Sequence, residues 1–222
     1  MEPKFEKKYY LKKFGTLLST NKLLTWKELE YFLNLRPLMT SKRVQILGTD
    51  EEFRWSCSPW ALDANCYPSS LLKTLILNHV CYLRDMSRST KNINAFAKHV
   101  EDRYNMQVDA HVYFSMNNES EHPFGVHYDE SHNVIVQCEG KTNFKVWDKI
   151  NPEQMPQRTH LNPIFMGMEL IMDVIMNPGD AISIPAFYPH LALSQSKRLS
   201  VSFPFTPQAE DTHYETREWI KL

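Results

Sequence analysis

The chain has 222 residues, enough for one domain with a large core. Lys and Arg total 25 against 26 Asp and Glu, a net charge of -1, which argues against wholesale electrostatic capture of nucleic acid. The four cysteines (Cys57, Cys66, Cys81 and Cys138) form no C-x-x-C pair, and no apolar run is long enough to span a bilayer.

With no signal peptide in view, free thiols in a reducing cytoplasm are the simplest expectation. The start is locally basic at Lys4, Lys7, Lys8, Lys12 and Lys13, and residues 5 to 20 carry a short helix at most. Thr25-Trp26-Lys27-Glu28 is a capping box that opens a helix over 26–34, with Leu29, Phe32 and Leu33 on one side. That helix must end near Pro37. Val44 to Leu47 is a short strand, and 48–67, with Trp55 and Trp60, reads as an ordered loop. A second helix covers 69–79. A third covers 93–104 after an Asn92 cap, with the apolar stripe Ile93, Phe96, Ala97, Val100 and Tyr104.

After Asn105 the period changes from helical to two. Val108, Ala110, Val112, Phe114 and Met116 alternate with Asp109, His111, Tyr113 and Ser115, which predicts one strand with an apolar and a polar face. Asn117 to Gly125 is a polar loop. Asn133 to Cys138 and Thr142 to Trp147 read as two strands joined at Gly140, and 149–163 is a loop. Pro178-Gly179 fits a type II turn before a strand over 181–184. Pro185 to Pro189 is a second turn, and Arg198 to Phe205 alternates again.

The chemistry concentrates at His127-Tyr128-Asp129. Two residues apart on an extended chain, the His127 and Asp129 side chains leave the same face and can close on one ion. The best third ligand is His190. Two neutral imidazoles and one carboxylate make the facial triad of a non-haem Fe(II) oxygenase, which leaves coordination positions open. His111, His122 and His132 lie near enough in sequence to substitute as ligands.

These features resemble one family. HYD at 127–129, Asn133, the VQCEGK run at 136–141, PGD at 178–180, IP at 184–185, PH at 189–190 and LSVSFPF at 199–205 look like the Jumonji-C branch of the cupin superfamily. WKELEYFLNLRP and NINAFAKHVEDRY resemble the N-terminal region of its cupin-like hydroxylases. The resemblance implies an α+β, mainly β fold: a double-stranded β-helix (cupin or jelly-roll) barrel braced by N-terminal helices. It would be one domain, with a helical support region at 1–105, a β core at 106–205 and a short tail at 206–222. The large dimerisation and winged-helix modules of ribosomal oxygenases are expected to be absent, and the oligomeric state is left open.

The resemblance also implies Fe(II), 2-oxoglutarate as co-substrate and O2, acting to hydroxylate an unactivated C–H. Asp at the middle ligand is typical of hydroxylases, and the substrate would be a side chain of a protein or peptide. Asn133 would touch the co-substrate. The chain departs from the family at Thr142, where a Lys or Arg usually pairs with the distal carboxylate of 2-oxoglutarate. Alternation puts Thr142, Phe144 and Val146 on one face of the strand and Lys141 and Lys145 on the other. Arg198 has the parity of Ser200 and Ser202, so it is the substitute cation. Thr142, Asn133 and Tyr113 would donate hydrogen bonds, with Lys145 in reserve if the strand bulges. Thr142 equally suits a metal-binding cupin enzyme that uses no 2-oxoglutarate. A tRNA or nucleobase hydroxylase is a further alternative, and a non-catalytic scaffold is set against by the complete triad.

Overall fold

A computed structural model describes residues 12–13, 23–35, 44–46, 69–116, 124–151, 153, 158–164 and 166–206. Within 5–20, where a short helix is expected, only Lys12–Lys13 is described, and it is strand; the loop at 48–67, most of the loop at 117–125, His122, Cys57, Cys66 and the tail beyond Thr206 lie outside the described residues.

Three helices are present among the described residues. Helix α1 (Trp26–Asn34) starts with the expected box: the Glu28 amide donates to the Thr25 hydroxyl at 3.3 Å, and the Thr25 amide donates to the Glu28 carboxylate at 2.8 Å. Helix α2 spans Ser69–Asn78. Helix α3 (Lys91–Tyr104) is capped by Thr90 rather than Asn92, its hydroxyl accepting from the Ile93 amide at 3.0 Å. Asn105 ends it in the left-handed conformation.

Eleven strands make two sheets among the described residues. They are β1 (Lys12–Lys13), β2 (Val44–Ile46), β3 (Cys81–Leu83), β4 (Gln107–Val108), β5 (His111–Ser115), β6 (His132–Glu139), β7 (Thr142–Trp147), β8 (Leu170–Met176), β9 (Asp180–Ile184), β10 (His190–Ser194) and β11 (Arg198–Thr206). The large sheet runs β1-β9-β6-β11-β5-β3-β2 with β4 beside β11, and the small one runs β10-β7-β8. From β6 onward the chain passes from the large sheet to the small one and back twice, which is the winding of a double-stranded β-helix.

The parity of β6 and β11 creates two cores. Val134, Val136, Cys138, Leu199, Val201, Phe203 and Phe205 pack outward against α1 and α3. Phe96 of α3 sits 4.6 Å from the Phe203 ring, and Tyr104 stacks on Phe205 at 4.7 Å. On the other face, Ile135, Ile182 and Ile184 meet Phe144, Val146, Met172, Met176 and Ala192 of the small sheet. A sheet covered on both sides explains why β6 reads as a near-continuous apolar run.

Two turns fix the crossings between sheets. Gly140 (φ +70°) links β6 to β7, and a Cβ there would run into the Lys197 carbonyl. Gly179 (φ +90°) has the left-handed conformation that the Pro-Gly turn before β9 requires.

Three expectations change. The single strand over 108–116 is two, because Asp109 breaks the ladder and its side chain accepts from the Ala110 amide at 2.7 Å. Strands β1, β3, β8 and β10 are additional. The first 105 residues are therefore not purely helical, since β1, β2 and β3 lie in the large sheet.

Candidate metal centre

The His127 segment crosses β10 as an isolated antiparallel bridge to His190. The His127 amide donates to the His190 carbonyl at 3.1 Å, and the His190 amide to the His127 carbonyl at 2.7 Å. The two rings lie 4.4 Å apart, so a main-chain contact sets the spacing of two side chains. Asp129 completes the group: one ligand atom from each of His127, Asp129 and His190 lies within 4.8 Å of the others.

Both imidazoles are oriented in the same local way. Nδ1 of His127 lies 3.0 Å from the Gly125 carbonyl, and Nδ1 of His190 lies 3.0 Å from the Tyr188 carbonyl. A carbonyl only accepts, so each Nδ1 carries a proton, and in the neutral tautomer this leaves the Nε2 lone pair for a metal. His190 Nε2 lies 3.8 Å from Asp129 Oδ2. Burial, reinforced by His190, lowers the His127 pKa to about 4. The imidazole is therefore neutral at pH 7, the form that binds metal. Two lone-pair nitrogens and a carboxylate oxygen, each held by a neighbour, fit a divalent transition metal.

A cavity opens beside the three residues. Ile135, Phe144 and Ala192 make its apolar wall; Tyr113, Asn133, Ser200, Ser202 and Arg198 are its polar lining. Arg198 is 2% exposed, and its Nε and Nη2 have no hydrogen-bond partner among the described residues. Burial lowers its pKa to about 10, still well above neutrality, so a cation stands in a low-dielectric pocket short of partners. That arrangement fits an anionic ligand group. Burial also raises the Tyr113 pKa, which keeps its hydroxyl protonated and able to donate.

Thr142 and Lys145, also expected at the site, are not among the residues that line this cavity. Thr142 is fully buried opposite Ser194, on the face of β7 that also carries Phe144 and Val146; its hydroxyl has no partner among the described residues. Lys145 points the other way. Its Nζ lies 3.7 Å from Asp173 on the outer face, and it does not line the cavity, because β7 keeps its alternation from Thr142 to Val146. The reserve role for Lys145 is thereby corrected. Nor do the substitute histidines join the group: His111 Nε2 pairs with Asp109 at 3.1 Å, and His132 Nδ1 accepts from the Ala186 amide at 3.1 Å.

Asn133 is placed differently from a free co-substrate donor. Its Nδ2 donates to Asp129 Oδ2 at 2.8 Å, and its Oδ1 accepts from Ser202 Oγ at 3.0 Å. The alternation of β11 signals that Ser202 faces inward, but its partner on β6 depends on the register between strands. The Gly125 and Tyr188 carbonyls that orient the imidazoles have no sequence signal beyond lying two residues before each histidine.

Comparison with known proteins agrees with this architecture. Residues 86–212 match the JmjC domain family. A probable ribosomal oxygenase of Haemophilus influenzae is 36% identical over 81 residues, covering 36% of this chain and 20% of that protein. A bifunctional lysine-specific demethylase and histidyl-hydroxylase NO66 of Aedes aegypti is 27% identical over 121 residues, 45% of this chain and 19% of that protein. The chain thus spans about a fifth of the curated relatives it matches. Among solved structures, ycfD of Escherichia coli matches with a TM-score of 0.57 at 16% identity, covering 96% of this chain and 57% of that one. The complex of the ribosomal oxygenase YcfD from Escherichia coli with cobalt and 2-oxoglutarate matches with a TM-score of 0.52 at 16% identity, over 90% of this chain and 53% of that one. These two likenesses are of fold. The family match covers more than half of the chain, which belongs to the JmjC domain family.

Proposed function

We propose that this chain is an Fe(II)- and 2-oxoglutarate-dependent dioxygenase that hydroxylates an unactivated C–H on a protein side chain. One observation carries the reading: three metal-ligand side chains and a buried, under-partnered Arg198 share one cavity. When bound, Fe(II) with 2-oxoglutarate and O2 supplies the oxidising chemistry, and succinate and carbon dioxide leave as products.

The chain's own residues bind, orient and exclude water. His127, Asp129 and His190 would hold the metal through two Nε2 atoms and a carboxylate oxygen, leaving positions open. Arg198 would pair with the distal carboxylate of 2-oxoglutarate, replacing the cation that Thr142 lacks, with the Tyr113 hydroxyl donating beside it. Ile135, Phe144 and Ala192 keep the space between apolar and dry, which strengthens that charge pair. The Asp129 side chain is 43% exposed, so the cavity opens to solvent on the metal side, where a substrate side chain can enter.

The substrate class rests on the relatives. The Haemophilus protein is described as a probable ribosomal oxygenase and the Aedes protein as a histidyl-hydroxylase and lysine demethylase. The histidyl and lysine targets in the Aedes description are protein side chains, and the near-neutral charge gives nucleic acid no support. Incubation with Fe(II), 2-oxoglutarate and a ribosomal protein extract should release succinate and add one oxygen to a protein, detected by mass spectrometry. Succinate release without any modified protein would overturn the substrate class. Loss of both, with 2-oxoglutarate failing to bind, would overturn the enzyme reading.

A further inference from the structure

Asp129 is the exposed member of its group: its side chain is 43% accessible, whereas His127 and His190 are buried. A carboxylate that reaches solvent can rotate and exchange its two oxygens. Each imidazole is pinned by its own backbone carbonyl. Asp129 is held instead by a side chain, Asn133, whose amide donates to Oδ2 at 2.8 Å. Asn133 is 5% exposed on β6, and its carbonyl accepts from Ser202 Oγ of the neighbouring strand β11 at 3.0 Å. Ser202 is 6% exposed. The carboxylate tells the amide apart: Asp129 only accepts, so the amide nitrogen faces it and the amide oxygen is left to accept from Ser202.

We propose that Ser202 and Asn133 form a positioning relay for Asp129, fixing which carboxylate edge meets the metal and thereby setting the affinity of the site. The proposal rests on the metal-binding reading above. It gives Asn133 a role separate from co-substrate recognition, because the relay acts before any 2-oxoglutarate is bound. Neither residue touches the metal position; both act through Asp129.

The expected size follows from the general behaviour of groups that orient metal ligands, whose loss weakens metal binding about 10- to 100-fold. Asn133→Ala removes the donor to Asp129 and should weaken Co(II) binding by about that factor. Ser202→Ala removes one neutral hydrogen bond, worth about 0.5–1.5 kcal/mol, and should weaken it about 2- to 10-fold. Ser202→Thr keeps the hydroxyl and should restore affinity near wild type, a rescue that a packing role for Ser202 would not produce.

The test is a titration of the full chain with Co(II), without 2-oxoglutarate, following the visible cobalt absorption and checking each variant's fold by thermal melting. The relay predicts weaker binding and an altered cobalt spectrum in Asn133→Ala and Ser202→Ala, with Ser202→Thr rescued. If Asn133→Ala proves unfolded, the two Ser202 variants decide alone. Unchanged Co(II) affinity in folded variants, with wild type binding normally, overturns the relay and leaves the metal site standing. Failure of wild type to bind Co(II) overturns the metal-binding reading, and the relay with it.

Discussion

His127 and His190 exchange both main-chain hydrogen bonds, at 3.1 and 2.7 Å, and their rings sit 4.4 Å apart. The backbone therefore brings two ligands together before any metal arrives. The arrangement has a cost in acid, because His127 is buried and its pKa lowered to about 4 from 6.5. The unfolded chain binds a proton on His127 below about pH 6.5, while the folded chain does not until about pH 4. The stability this group contributes is therefore fully present above pH 6.5 and is lost as pH falls towards 4. The metal-free protein should lose urea resistance across that window, and His127→Gln should flatten the dependence. An unchanged slope in the variant would show that His127 is not the titrating group.

Arg198 is buried with two of its nitrogens lacking partners among the described residues. A buried charge without full pairing is costly, so an apolar side chain of similar length should be better tolerated there in the ligand-free protein. Arg198→Met should therefore raise the melting temperature of the ligand-free protein. Wild type should gain stability when 2-oxoglutarate and Mn(II) are added together, and the variant should gain little beyond the effect of Mn(II). A lower melting temperature in ligand-free Arg198→Met would mean that the guanidinium is satisfied in the folded state.

Lys145 provides the control. It is partly exposed on the outer face of β7 and lies 3.7 Å from Asp173. An exposed pair of this kind contributes about 0–1 kcal/mol. Lys145→Ala should leave co-substrate affinity within about twofold of wild type and stability within about 1 kcal/mol, measured by calorimetry and urea unfolding. A large loss of co-substrate affinity would restore Lys145 as the carboxylate partner.

Phe203 joins the helices to the site. It is fully buried against Phe96, while its β11 neighbour Ser202 faces the cavity. Phe203→Ala should cost about 3–5 kcal/mol in urea unfolding. A loss below about 1 kcal/mol would mean that α3 is only loosely docked on the sheet.

Much of this was legible in short-range pattern. The H-x-D spacing and the Pro-His turn pointed to the three side chains that converge, and the alternation of β11 put Arg198, Ser200 and Ser202 on one face. The capping box at Thr25 located α1. Strand β8 was missed because Leu170 to Met176 is apolar at six of seven positions and shows no period of two. Strand β3 is three residues long, all buried, and gives no period at all. The Asn92 cap was misplaced because Thr90, two residues earlier, has the hydroxyl that reaches the Ile93 amide. The partners of Asn133 were out of reach: one of them is 69 residues away in sequence, and only the pairing of β6 with β11 brings them together.

The most direct measurement is an anaerobic calorimetric titration of 2-oxoglutarate into Mn(II)-loaded wild type and Arg198→Met. The proposed function predicts one 2-oxoglutarate per chain in wild type. In the variant, affinity should fall by about a hundredfold or more, since breaking a buried charged pair costs about 3–5 kcal/mol, while Mn(II) still binds. Wild type that binds Mn(II) but no 2-oxoglutarate would contradict it.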